Sequence, residues 1–121
     1  MTADSQLKAD LLEEASDEPL DLFHAIAMVK IVEGGEGRLP LLRRTAPLVV
    51  DLVREGRLIC GDWDGGGTGV FEAWELSAHD AAGLVEEHVR RVLDEQQAFI
   101  PDEPCLFALP EQVPGGSFPT R

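Results

Sequence analysis

The chain is expected to fold as an α+β domain, mostly helical, and three features of the sequence say so. Long segments carry apolar residues at the spacing of a helix face. Two short strand-like runs, Arg57–Trp63 and Val70–Leu76, flank the glycine-rich link Asp64-Gly65-Gly66-Gly67-Thr68-Gly69. An apolar fraction of 44% in 121 residues suits one domain with one modest core and argues against general disorder. Residues 1–109 are read as that domain, and the Pro/Gly-rich residues 110–121 as a disordered tail.

The first helix is expected over Ser5–Ala15, with Leu7, Leu11, Leu12 and Ala15 on one side and Glu13 and Glu14 toward water. Ser16-Asp17-Glu18 breaks the pattern, and Pro19 is placed to open a second helix, where its missing N–H costs nothing. In that helix Leu20, Phe23, Ala27 and Ile31 recur at spacings of three and four, flanked by Ile26 and Val32, and Gly34-Gly35-Glu36-Gly37 ends it. A third helix starts between Pro40 and Pro47. The favoured reading puts Pro40 in the first turn of one long helix that Pro47 kinks, because Leu41, Leu42, Leu48 and Leu52 keep a helical rhythm. Leu48, Val49, Leu52 and Val53 give its apolar face, and Gly56 stands where a C-cap glycine belongs.

After the hairpin, in which Trp74 and Leu76 are expected to close the core and Trp63 to be more exposed, Ser77-Ala78-His79-Asp80 matches a capping box. The last helix then runs to about Glu95, with Ala81, Leu84, Val85, His88, Val89 and Val92 as its stripe. Leu106-Phe107-Ala108-Leu109 is expected to dock as a short extended segment. Helix, glycine cap, strand, glycine-rich tip, strand and C-terminal helix is the order of a winged helix-turn-helix-like domain with a β-hairpin wing.

That fold is commonly used to read DNA, but the formal net charge of −13, from 23 acidic against 10 basic residues, repels phosphate and attracts basic partners. The basic exception is Arg38, Arg43, Arg44, Arg54 and Arg57, five arginines opposed within residues 38–57 only by Asp51 and Glu55. Arg43 and Arg44 are the DNA-contacting candidates if this helix enters a major groove. The competing expectation is that these arginines pair with acids on neighbouring helices.

Other chemistry finds little support. His24, His79 and His88 lack partners at metal-binding spacing, so no metal or cofactor is expected. His88 on an apolar helix face reads as a satisfied core residue. Gly65-Gly66-Gly67 lacks the lysine and hydroxyl residue of a phosphate loop and is flanked by Asp62 and Asp64, so a hairpin tip is the reading. Ser77, His79 and Asp80 are adjacent, but helix capping explains them, and no enzyme is expected. Cys60 and Cys105 are read as reduced, with a bridge between them the lesser alternative. Without a membrane-length apolar run or a signal-like N-terminus, the expected location is the cytoplasm.

Leu52-Val53-Arg54-Glu55-Gly56-Arg57-Leu58-Ile59, Gly61-Asp62, Phe71-Glu72-Ala73-Trp74-Glu75-Leu76-Ser77 and Pro101-Asp102-Glu103-Pro104-Cys105-Leu106-Phe107 resemble the pattern of a group of small bacterial winged-helix proteins. Some of that group look like immunity proteins, which neutralise a toxin domain. The resemblance implies a non-catalytic protein-binding module, an immunity protein or antitoxin, with a basic protein as partner. The acidic residues expected to meet it are Asp17, Glu18, Asp62, Asp64, Glu86 and Glu87, with Trp63 as an aromatic anchor. The alternative is a DNA-binding transcriptional regulator; a DNA-mimicking inhibitor is a third reading. Leu7, Leu11 and Leu12 could serve a homodimer seam as well as a core.

Overall fold

Three of the four α-helices among the described residues begin where a Thr, Asp or Ser side chain accepts an N–H of the first turn; the other begins after Gly37 with no side-chain cap. In the computed structural model, which describes residues 2–63 and 70–113, α1 spans Ala3–Ala15. Its start lies two residues earlier than the apolar pattern suggests, because the Thr2 hydroxyl accepts the Ser5 N–H at 3.0 Å. Helix α2 spans Leu22–Glu33 and is capped by Asp21, which accepts the His24 N–H at 2.8 Å. Pro19 therefore does not open it. Leu20 is instead extended, exchanging backbone hydrogen bonds of 2.9 and 2.7 Å with Phe107, and this holds the chain out of helical geometry until Asp21.

The face of α2 also differs from expectation. Leu22, Ala25, Ile26 and Val29 are buried, while Ala27 is exposed and Ile31 is 85% exposed. The helix is apolar on most sides, so two stripes at helical spacing compete. The late start at Leu22 turns the second stripe inward. Phe23 stays half-buried, its ring 4.3 Å from that of Phe99 and with the Arg38 guanidinium over its face at 5.2 Å.

Helix α3 is one element from Arg38 to Arg54 with Pro40 in its first turn and Pro47 inside it. It is the central helix, packing on α1, α2 and most extensively on α4. Gly56, at φ +77°, ends it: the Arg57 N–H returns to the Leu52 carbonyl and the Gly56 N–H to that of Val53, a Schellman motif.

The two strands of the expected hairpin pair antiparallel and are shorter than expected; its glycine-rich link, residues 64–69, lies outside the described residues. Strand β1 spans Ile59–Trp63 and β2 spans Phe71–Ala73, and a third strand, β3, spans Leu106–Ala108. The antiparallel order is β2-β1-β3, with Leu20 bridging the outer side of β3. Register places Cys60 opposite Phe107 on the face toward the helices. The other face carries a second small core, Phe71, Leu106, Ala108 and Val113. Gly61 is required there, because a Cβ would lie 2.3 Å from the Glu72 carbonyl oxygen and 2.6 Å from the Phe71 ring.

Helix α4 spans Ala78–Leu93, and the Ser77 hydroxyl accepts the Asp80 N–H at 3.1 Å. Ala81, Ala82, Val85, His88, Val89 and Val92 are buried, whereas Leu84, at the margin of that stripe, is 50% exposed. Packed structure continues past Leu109, where a short 3-10 turn, Pro110–Gln112, is tied back by Gln112, whose Nε2 donates to the Ala15 carbonyl at 2.7 Å. Among the described residues this is an α+β, mostly helical structure of four helices and a small antiparallel sheet. None of these helices is long and apolar enough to cross a membrane.

Candidate functional site

Consecutive arginines on α3 meet opposite surroundings, and this organises the whole charged surface. Arg44 turns toward α1 and α2: its Nε and Nη2 donate to Glu33 at 2.9 Å each, and its Nη1 to Asp4 at 2.7 Å. These hydrogen bonds raise the guanidinium pKa further and lower that of Glu33. Lys8 on α1 reaches the same side of α3, 3.2 Å from Asp51 and 3.4 Å from Glu55. Arg43 is exposed and forms no ion pair among the described residues. A DNA role for Arg44 is thus opposed by its engagement inside the domain, as the expectation of pairing with neighbouring helices anticipated.

Arg43 stands on the rim of a groove of about 470 Å³ between α3 and α4. Its floor is apolar, made by Ala46, Pro47 and Val50 from α3 and by Val89 and Leu93 from α4. Four further charged residues, Asp51, Glu86, Arg90 and Asp94, complete the rim, and each has a partner. Asp51 has Lys8, Glu86 has Arg54 at 2.7 Å, and Arg90 bonds Glu87 at 3.0 Å and Asp94 at 2.9 Å. Sequence reasoning missed this groove. The available signal was the run Ala46-Pro47-Leu48-Val49-Val50, whose apolar width exceeds what one packed face requires.

The expected partner-binding residues fall on three elements, with no hydrogen bond or ion pair between them among the described residues. Asp17 and Glu18, just past α1, are exposed and unpaired among the described residues. Asp62 is exposed on β1, directly opposite Glu72, and accepts from the Trp74 indole at 3.0 Å. Trp63 beside it is 45% exposed, and Asp64 lies outside the described residues. On α4, Glu86 is exposed and Glu87 partly exposed, and both are compensated. Hydrogen bonds from Arg90, then Arg91, hold the Glu87 carboxyl down at about 2. Both are weaker candidates for capturing a cation than their sequence position suggested.

Two further residues shape this surface from within. Asp21, besides capping α2, accepts the Asp102 N–H at 2.9 Å, and burial followed by the Asp21 charge raises the Asp102 pKa. His88 is buried as expected but only half satisfied. Its Nδ1 meets the Gln97 amide at 3.1 Å, whereas Nε2 has no partner among the described residues, and burial lowers its pKa. Leu7 and Leu11 lie in the domain's own core, which removes them from a dimer seam. Cys60 and Cys105 are free, buried thiols brought close by the β1–β3 register. Among the described residues no three His, Cys, Asp or Glu side chains gather as a metal site would require. No protein-family model, curated protein or solved structure matches the chain.

Proposed function

We propose that this chain is a non-catalytic protein-binding module on a winged-helix-like scaffold, an acidic immunity protein or antitoxin that neutralises a basic toxin domain in the cytoplasm. The observation that carries this reading is the asymmetry of charge compensation. Six of the nine lysines and arginines among the described residues, Lys8, Arg44, Arg54, Arg57, Arg90 and Arg91, pair with carboxylates of the same chain, while Lys30, Arg38 and Arg43 form no ion pair among those residues. Asp17 and Glu18 after α1, and Asp62 next to the exposed Trp63 on β1, face solvent with no cation paired to them among the described residues. A negative field accelerates capture of a basic surface, and the exposed Trp63 beside Asp62 supplies a contact to hold it. The scaffold reading rests on the succession of α3, its glycine cap, the β1–β2 hairpin and α4.

Capture of tagged protein from its own lysate at low salt tests this. One stoichiometric basic protein, released by salt, is expected. Replacing Asp17, Glu18 and Asp62 together with Asn, Gln and Asn should slow association with that protein about tenfold and flatten its salt dependence. Unchanged association kinetics would refute the electrostatic reading.

The second reading, a DNA-binding regulator, is favoured by Arg43 alone, exposed and unpaired among the described residues. It is opposed by α4, which lies along the flank of α3 next to Arg43 and leaves an apolar groove there. Enriched DNA without a protein partner, lost in Arg43→Ala, would replace the first reading with this one.

A further inference from the structure

We propose that the α3–α4 groove is a binding site for a small amphiphilic carboxylate, its carboxyl group held by Arg43 and its hydrocarbon chain laid along the apolar floor. This site is separate from Asp17, Glu18 and Asp62, which do not line the groove. The capacity is suitable: about 470 Å³ lies within the range of small-molecule pockets. The Arg54–Glu86 ion pair sets the end of α3 beside the middle of α4, and the lining runs from there back to Arg43 on α3 and onward to Asp94 after α4, so the two helices run antiparallel. Arg43 therefore stands at one end of the groove and Asp51 with Glu86 at the other. From Arg43 to Asp51 the helical rise gives about 12 Å, the reach of an extended acyl chain of roughly ten carbons.

The charge pattern decides which head group fits. Asp51 is neutralised by Lys8, Glu86 by Arg54, and Asp94 by Arg90, which also serves Glu87. Of the rim's charged groups, Arg43 alone has no ion-pair partner among the described residues. A cationic amphiphile would meet that charge and find no free carboxylate to balance it. A neutral alcohol would gain the floor but leave the guanidinium without a counter-ion. A carboxylate satisfies both, because the guanidinium fork can donate two parallel hydrogen bonds to it. Pro47 is exposed at the lip and Leu93 half-buried, so a bound chain would cover their apolar surface while resting on the buried Val50 and Val89.

The test is titration of the full chain with decanoate, decanol and decylamine, followed by the methyl NMR signals of Val50, Val89 and Leu93. Decanoate is expected to shift these methyls saturably and to bind at least tenfold more tightly than decanol, with decylamine weaker still. Arg43→Ala, a change at an exposed side chain, should weaken decanoate about tenfold and leave decanol unchanged. Arg43→Lys should fall between, retaining the charge without the fork. Equal affinity for decanoate and decanol, undiminished binding by Arg43→Ala, or shifts confined to the sheet around Trp63 would each overturn the proposal. So would absence of binding. Methyl shifts that appear on raising protein concentration alone, with a dimer in sedimentation, would assign the groove to a second copy of the chain instead.

Discussion

The two flanks of α3 show how differently one helix can treat similar residues. Toward α1 and α2 its charges are locked: Arg44 bonds Asp4 and Glu33, and Asp51 and Glu55 receive Lys8. Toward α4 the apolar floor of the groove reaches solvent and Arg43 has no partner among the described residues. The first flank is closed, with its electrostatic capacity used in holding three helices together. The second retains unspent capacity, an apolar surface and a cation, which is what a binding site requires. A count of charges along the sequence treats the two flanks alike; their pairing separates them.

The closed flank should carry the larger share of stability, and Leu11→Ala would expose this. Leu11 is fully buried in the main core, so truncation is expected to cost about 2–5 kcal/mol, read from urea denaturation with an unchanged slope. A variant of undiminished stability but altered oligomeric state would return Leu11 to a dimer seam. The thiols report on the same core from the sheet side. Cys60 and Cys105 are buried, and burial pushes the Cys105 pKa well above the ordinary thiol value. Alkylation by iodoacetamide should therefore be negligible in the native state and complete in denaturant; rapid native labelling would show that the sheet does not seal this core.

Much of the architecture was legible because its signals are local. The Gly56 cap, the Ser77 cap and the continuity of α3 through Pro47 follow from residues within a few positions of one another. What failed was non-local. Pro19 reads equally well as a helix start or as the approach to one, and a backbone pairing of Leu20 with Phe107 decides the matter. The stripe of α2 is ambiguous because the helix is apolar on most sides, so spacing alone puts Ile31 in the core, whereas it lies outside. The site follows the same rule. Arg43 and Arg44 differ only through Glu33 and Asp4, which are 11 and 40 residues from Arg44.

His88 offers a pH-dependent probe of α4 from its buried side. Burial lowers its pKa below 6.5, with the Glu103 charge opposing that effect and Arg91 adding to it. The unfolded chain thus takes up the proton more readily than the folded one. Stability should be fully present above pH 6.5 and be lost as pH falls from there through the depressed folded-state value. The urea midpoint of the native chain should decline between pH 7.5 and 5.5 by more than that of His88→Gln, which cannot take up this proton. Parallel declines in the two proteins would assign the acid sensitivity to other groups.

The smallest effect is also the sharpest test of the comparison between the flanks, since Arg43 and Arg44 differ by one position. Arg44 is partly solvent-exposed, so screening discounts its ion pairs, and Arg44→Ala is expected to cost only about 0.5–1 kcal/mol. That loss should shrink in Asp4→Asn/Glu33→Gln, where the partners are already gone, a non-additivity that identifies the pairing itself. Arg43→Ala removes an exposed side chain without an ion pair among the described residues and should change stability by less than about 0.3 kcal/mol. If Arg43→Ala cost as much as Arg44→Ala, both arginines would be structural, and the groove would lose the unspent cation on which its ligand depends.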